Sequence, residues 1–214
     1  MFNISAQEVK KQLADTSKSD LTMKGVSDAL KKNDGLLVLD GGTITGMQEL
    51  GADLYGVTCL WQLQFMTNDP KLIEKTHLKY FESGADIGMS ATYNARVKYS
   101  RFLNKGVQLV ANARKTAKKN GVKRDLLIAA SCGAFGSAAI DSLEYDGRYG
   151  QEVSQKFLED QHKVKINEFV KNKEVDILAY ETVPCLKEVK AILNVIKMYP
   201  GAKAWIAVSC RNDS

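Results

Sequence analysis

Leu36-Leu37-Val38-Leu39-Asp40-Gly41-Gly42 is a run of four apolar residues stopped by a carboxylate and two glycines. A short apolar run bounded by turn residues has the pattern of a buried strand entering a loop. The pattern recurs at Leu126 to Ser131, at Val175 to Tyr180 and at Ala204 to Ser209, and more weakly at Asp86-Ile87-Gly88-Met89-Ser90. Helical stretches separate these runs. Strands that are apolar almost throughout, alternating with helices, imply a parallel sheet with helix-covered faces. Two architectures satisfy this pattern. A doubly wound open sheet is complete with five strands, whereas a (β/α)8 barrel needs three more and typically ~250 residues. Periodicity alone does not choose between them. No G-x-G-x-x-G follows the first run, which weakens the dinucleotide-binding version of the open sheet.

The helices carry their own start and stop signals. Asp69 can cap a helix with Pro70 at its first position, placing Ile73, His77, Tyr80 and Phe81 on one face before a stop at Gly84. Further helices are expected over Arg101 to Asn120, Gln151 to Asn172 and Leu186 to Met198, with a Gly-rich loop from Gly133 to Gly150. Residues 1–33 read as an N-terminal helical extension ahead of the 34–214 domain. Ser5-Ala6-Gln7-Glu8 has capping-box spacing, and a second short helix runs from Lys24 to Lys32 and stops at Asn33-Asp34-Gly35. Neither carries a chemical motif, so packing across the bottom of the domain is their expected role.

Composition narrows the class of protein. Of 214 residues, 44% are hydrophobic and 26% charged, enough apolar material for a sizeable core. The net charge is +5, and the excess lies in lysines scattered on predicted helices, such as Lys115, Lys118, Lys119 and Lys123 with Arg124. Without interleaved aromatics these read as a solvated helix face and not as a nucleic-acid patch. Cys59, Cys132, Cys185 and Cys210 are far apart and form no CxxC pair, which suits buried thiols in a reducing, cytoplasmic setting better than a disulfide framework. The N-terminus turns charged at Glu8, Lys10 and Lys11, unlike a signal peptide, and no apolar run approaches the ~20 residues of a membrane span.

In either parallel fold the chemistry gathers at the C-terminal ends of the strands. Those ends deliver Asp40, Gly41 and Gly42; Thr92, Tyr93 and Asn94; Cys132, Gly133 and Phe135; Glu181, Thr182 and Pro184; and Cys210 through Asp213. Two carboxylates, Asp40 and Glu181, therefore share one rim. Such a pair can hold an ammonium group, bind a metal or share a proton, or each can simply accept backbone amides or cap a helix. Gly41 and Gly42 permit either close approach of a ligand or a tight turn.

Taken in order, several motifs resemble the homocysteine S-methyltransferase family: Leu39-Asp40-Gly41-Gly42-Thr43, Gly51-Ala52-Asp53, Leu60-Trp61, Asn68-Asp69-Pro70, His77-Leu78-Lys79-Tyr80-Phe81, Gly84-Ala85-Asp86, Tyr145-Asp146-Gly147-Arg148-Tyr149-Gly150, Tyr180-Glu181-Thr182-Val183-Pro184 and Trp205 to Cys210. Each alone is weak, but the ordered set covers roughly residues 36–214 and favours the barrel. The resemblance implies methyl transfer to homocysteine, giving methionine, from S-methylmethionine, S-adenosylmethionine or, in a related branch, betaine. It implies that Asp40 and Glu181 bind homocysteine, Glu181 through the amino group, with Gly41 and Gly42 forming the close-approach turn. Trp61 and Tyr93 would line the donor side, where aromatic faces can hold a cationic donor.

The resemblance also implies zinc, which binds the acceptor thiol as thiolate. The family's three cysteine ligands lie in a Gly-Val-Asn-Cys segment after strand six and a Gly-Gly-Cys-Cys segment near the last strand. Neither segment occurs in these 214 residues. The chain is accordingly expected to supply about the first five β/α units, with exposed sheet edges prone to self-association and with thiol activation missing. Other departures are Ile44-Thr45-Gly46 in place of Gly-Thr-Glu, Met89-Ser90-Ala91-Thr92-Tyr93 in place of a Thr/Ser-rich run, and Gly133-Ala134-Phe135-Gly136 in place of Gly-Pro-Tyr/Trp-Gly. The alternatives are a non-catalytic half-barrel that pairs with a partner, and an unrelated domain binding nucleotide phosphate at Gly41-Gly42 or Gly133–Gly136.

Overall fold

The computed structural model describes residues 23–58, 60–95, 99–138 and 143–210. The capping box at Ser5, the thiol of Cys59 and the strand-end residues Arg211, Asn212 and Asp213 lie outside the described residues. Four strands form one parallel sheet: β1 (Ile87–Met89), β2 (Leu127–Gly133), β3 (Ile177–Val183) and β4 (Ala204–Val208). Leu39 joins ahead of them through a single parallel bridge to Ile87. The spatial order β1-β2-β3-β4 is also the chain order. A doubly wound sheet reverses direction at a switch point, whereas a barrel advances one strand at a time. The sequential order is therefore that of the (β/α)8 barrel, with Leu39 and the four strands standing for its first five β/α units.

Between the strands run α1 (Ser27–Lys32), α2 (Thr43–Glu49), α3 (Trp61–Asn68), α4 (Pro70–Glu82), α5 (Arg101–Lys119), α6 (Leu143–Asp146), α7 (Tyr149–Glu152), α8 (Gln155–Val170) and α9 (Leu186–Ile196). Asp69 caps α4 by accepting the Leu72 amide, and Pro70 opens the helix, as the sequence predicts. The short helices α2 and α3 fall where the sequence suggests only loop.

Alternation along the strands separates two cores. Ile87, Leu127, Ala129, Ile177 and Ala179 face inward, together with Ala29 from α1 and the partly buried Leu37, Met89 and Trp205. Ile128, Ala130, Cys132, Leu178 and Tyr180 face the helix layer and meet Phe81, Val107, Val110 and Phe169. Glycines set the spacing of that layer. A Cβ on Gly88 would stand 2.6 Å from the Phe81 ring and 2.9 Å from Val110, so α4 and α5 rest directly on the β1 backbone.

At the N-terminal end of the sheet two buried aspartates act as staples. Asp86 accepts the Val38 amide at 2.9 Å and the Arg124 guanidinium at 3.1 Å, and Asp176 accepts the Ile128 amide at 2.9 Å and Arg114 at 3.1 Å. Arg124 thus belongs to an ion pair and also donates to the Phe81 and Ala85 carbonyls, while Lys115, Lys118 and Lys119 are exposed. The lead-in to α1 closes this end through Met23 N–H to Gly201 O and Gly25 N–H to Asp176 O.

One expectation needs correcting. The run from Leu36 to Leu39 is not a buried strand: Leu36 is 69% exposed and Leu39 46%. Its apolar content matches that of the inner strands, but it forms a single bridge, at Leu39, with hydrogen bonds from Val38 and Asp40 to Asp86 and Ile87 and no longer ladder.

Candidate functional site

Glu181 ends the inward-facing row of β3, following Ile177 and Ala179. It is half-buried and accepts a hydrogen bond from the Ser131 hydroxyl at 2.9 Å across the β2–β3 ladder. Burial pushes its carboxyl above the ordinary value of 4.5, the Ser131 hydrogen bond opposes this, and the charge of Asp40 adds to the rise. Among the described residues no cation pairs with it. The two predicted carboxylates thus sense one another across the same rim.

Asp40 is held more tightly than its strand-end position suggests. Its side chain is 1% exposed, its Oδ2 accepts the Met89 amide at 2.9 Å, and His77 Nδ1 stands 3.4 Å away. Asp40 Oδ1 and both ring nitrogens of His77 are buried without a hydrogen-bond partner. Buried polar atoms normally find partners, so this pair marks a place with unused hydrogen-bonding capacity. Gly41 has a local reason to be glycine, since a Cβ there would meet the Tyr80 ring at 2.8 Å. The Tyr80 hydroxyl in turn donates to the Gly42 carbonyl at 2.9 Å, so α4 supports the whole turn from outside. Sequence reasoning places His77 and Tyr80 on the buried face of that helix but gives no sign of their contact with the turn.

Tyr93 lies on the loop after β1. Its phenol lies beside the Thr182 side chain and is pushed up to about 12, chiefly by burial. The Tyr93 carbonyl accepts from the Ser137 hydroxyl at 3.2 Å, and a Cβ on Gly133 would stand 2.5 Å from that carbonyl oxygen. Gly133 and Gly136 are therefore packed against protein atoms and do not form an open phosphate cradle. Trp61 opens α3 and packs, half-buried, on a separate cluster of Met47, Leu63, Met66 and Ile73. Asp40, Glu181 and Tyr93 come together at one rim, while Trp61 belongs to a different cluster.

A buried polar group behind this rim is not apparent from the sequence. Glu188, fully buried in the first turn of α9, accepts the Phe135 amide at 2.6 Å, stands 2.7 Å from His162 Nε2 and bonds the Tyr149 hydroxyl. Burial would push its carboxyl up, but the hydrogen bond and charge of His162, with Tyr149 and the Phe135 amide, hold it below the ordinary 4.5. This carboxylate clips the loop after β2 to α8 and α9.

The three described thiols do not assemble a metal site. Cys132 faces the helix layer, where burial pushes it up to about 12. Cys185 packs beside Leu143 and Tyr149, and Cys210 is exposed. No cluster of three or more His, Cys, Asp or Glu side chains suited to a metal occurs among the described residues. The described residues do not fit zinc.

The homocysteine S-methyltransferase family model matches residues 37–214. The chain is 32% identical over 195 residues to a selenocysteine Se-methyltransferase of Brassica oleracea var. italica, covering 82% of this chain and 56% of that protein. It is 31% identical over 192 residues to homocysteine S-methyltransferase YbgG of Bacillus subtilis, covering 83% of this chain and 59% of that protein. The crystal structure of the metallated form of the Escherichia coli homocysteine methyltransferase MmuM superposes with a TM-score of 0.78 at 28% identity, covering 87% of this chain and 67% of that one. The chain thus spans a little over half the length of these curated relatives. No helix among the described residues is long and apolar enough to cross a membrane.

Proposed function

Because this chain belongs to the homocysteine S-methyltransferase family, we propose that it carries the amino-acid-binding part of an enzyme moving a methyl group from S-methylmethionine or S-adenosylmethionine to homocysteine, giving methionine. One observation carries this reading. Glu181 stands on the inner face at the C-terminal rim, largely shielded from water, with one hydroxyl and, among the described residues, no protein cation for company. A carboxylate so placed is complementary to the ammonium group of an amino acid, which would supply the missing positive charge and favour the ionised carboxyl. Asp40, with Oδ1 free, is the second acceptor within the same field, and Gly41 and Gly42 form the turn beside it. In this reading Tyr93 lines the donor side, where a sulfonium methyl group would lie against an aromatic face, and Trp61, expected there with it, packs on a neighbouring cluster. In the reaction the acceptor sulfur forms a bond to the methyl carbon as the donor C–S bond breaks. The bonding pair goes to the donor sulfur, and the acceptor thiol proton passes to solvent water.

Within this reading residues 34–214 form the barrel domain and residues 1–33 an extension beneath it. The setting is reducing and cytoplasmic, and the partners are homocysteine and a methyl donor, with no nucleic acid. Zinc and its three cysteines belong to parts of the family fold that these residues do not include. The test is calorimetric titration of the chain with L-homocysteine, then with Glu181→Gln, followed by assay of methionine formation from S-methylmethionine. Binding lost in the variant is the expected result. Equal binding by both proteins overturns the assignment. A second reading, a non-catalytic half-barrel that pairs with a partner, is favoured by the exposed Leu36, Val38 and Leu39 along the leading sheet edge. Its signature is a stable complex without methyl transfer.

A further inference from the structure

Strand β3 breaks its own alternation at the rim. Leu178 and Tyr180 face the helix layer, so Val183 should face inward, yet it belongs to the outer core with them. The ladder with β4 shows the reason. Tyr180 pairs with Ile206 and Val183 with Val208, three steps along β3 against two along β4. One extra residue is inserted, and Thr182 carries the cost with φ of 55°. Positive φ is rare for any residue with a Cβ, and for a β-branched one it is a genuine outlier. Strain of this kind persists where surrounding contacts over-determine it, and it clusters at functional sites, as do bulges that re-aim a side chain.

The contacts here are specific. Glu181 is fixed by Ser131 of β2 at 2.9 Å. Thr182, the next residue, sets its side chain beside the Tyr93 phenol. The Tyr93 backbone is pinned separately, by Ser137 and by the close approach of Gly133. In a regular strand residues 181 and 182 would point to opposite faces, and only one of them could serve the inner rim.

We propose that Thr182 is the positioning residue of this site: its bulge sets two consecutive side chains to work at one rim, so that the carboxylate of Glu181 and the ring of Tyr93 are held at one fixed spacing. The inference rests on the reading that Glu181 holds the acceptor amino acid and Tyr93 lines the donor. Thr182 itself need touch neither reactant. That spacing fixes where the acceptor amino group is held relative to the donor side, and misplacement of one partner by about an ångström is enough to lower a transfer rate ~100-fold.

Three substitutions separate this role from a merely structural one. Thr182→Ser keeps the hydroxyl, Thr182→Val keeps the branched shape without it, and Thr182→Gly removes both hydroxyl and strain. In protein labelled with 3-fluorotyrosine, the Tyr93 resonance is assigned by its loss in Tyr93→Phe. Thr182→Val should shift and broaden that resonance, and Thr182→Ser should restore it. Thr182→Gly should melt no lower than the parent. With L-homocysteine and S-methylmethionine as probes in the full protein, Thr182→Val and Thr182→Gly should lower kcat at least tenfold while homocysteine KM stays within about threefold, and Thr182→Ser should recover most of the rate. An unmoved Tyr93 resonance in Thr182→Val overturns the proposal, as does loss of melting temperature and rate together in Thr182→Gly. A Tyr93 resonance that moves as expected, in a parent protein that forms no methionine, supports the positioning role and removes the methyl-transfer reading instead.

Discussion

Burial raises the carboxyl of Glu181 above its ordinary 4.5, with the Ser131 hydrogen bond opposing and the Asp40 charge reinforcing. A raised folded-state pKa means that this residue's contribution to stability is whole below its unfolded value and is lost as pH rises through the folded one. Glu181→Gln removes the ionisable group but keeps the shape and a bond to Ser131. It should therefore melt higher than the parent at neutral pH, with the difference vanishing as pH falls below 4.5. The same variant should lose homocysteine binding. Thermal scans across pH check the first effect and calorimetry the second, and a Glu181→Gln protein destabilised equally at every pH would contradict the assignment of burial as the cause. Glu181 was open to sequence reasoning because any residue closing a buried parallel strand falls on the rim. The unusual backbone of Thr182 was not, because a threonine in an apolar strand carries no mark of the extra residue in the ladder. The unpartnered Oδ1 of Asp40 and its neighbour His77 depend on a packing contact between residues far apart in the chain.

Between elements, the distances that matter are those from helix to strand. A Cβ on Gly106 of α5 would stand 2.5 Å from the Thr92 methyl carbon, just before Tyr93 on the rim. Gly106→Ala should cost about 1–3 kcal/mol, the usual range for overpacking a filled core, in spite of alanine's better helix propensity, and chemical denaturation measures it. The clip at Glu188 makes a larger prediction. Removing one partner of a buried charged pair costs about 3–5 kcal/mol, because the groups left behind stay desolvated. Glu188→Ala leaves His162, Tyr149 and the Phe135 amide in that position. Because this carboxyl is held below 4.5, its contribution is present above the unfolded value and disappears as pH falls through the folded one. The gap between parent and Glu188→Ala should therefore narrow in acid, and a gap independent of pH would show that the lost packing, and not the charge, matters. The strand–helix alternation and the cap at Asp69 were visible from pattern alone. The helices Thr43–Glu49 and Trp61–Asn68 were not, since each is too short to display a helical period against its surroundings. The His162–Glu188 pair joins residues 26 apart on two helices, and nothing in either helix requires the other.

At the scale of the whole molecule, burial falls off across the sheet in a way that locates its vulnerability. Strand β2 is buried throughout and β3 nearly so, because each has a neighbour on both sides. Strand β4 is half-buried at Ala204 and exposed by Ala207 and Val208, with Val208 at 54%. At the opposite side Leu36, Val38 and Leu39 stand 69%, 48% and 46% exposed along a segment paired only at Leu39. Among the described residues no strand pairs with the outer side of β4. Unpaired backbone N–H and C=O groups beside exposed β-branched and leucine side chains form a template for another strand, and the usual defences of a charge or a proline are missing from Ala204–Val208. The 214-residue chain in solution should consequently self-associate with rising concentration, as judged by sedimentation velocity. Val208→Lys, which sets a charge on the open edge without touching the inner core, should weaken that association. Glu181→Gln, on the inner face, should leave it unchanged. A monodisperse, cooperatively melting monomer across the same concentrations would mean that the edges are covered by some other part of the chain. In that case the exposed leucines at 36 and 39 would lose their claim as a pairing surface, and the half-barrel reading with its partner would fall with them.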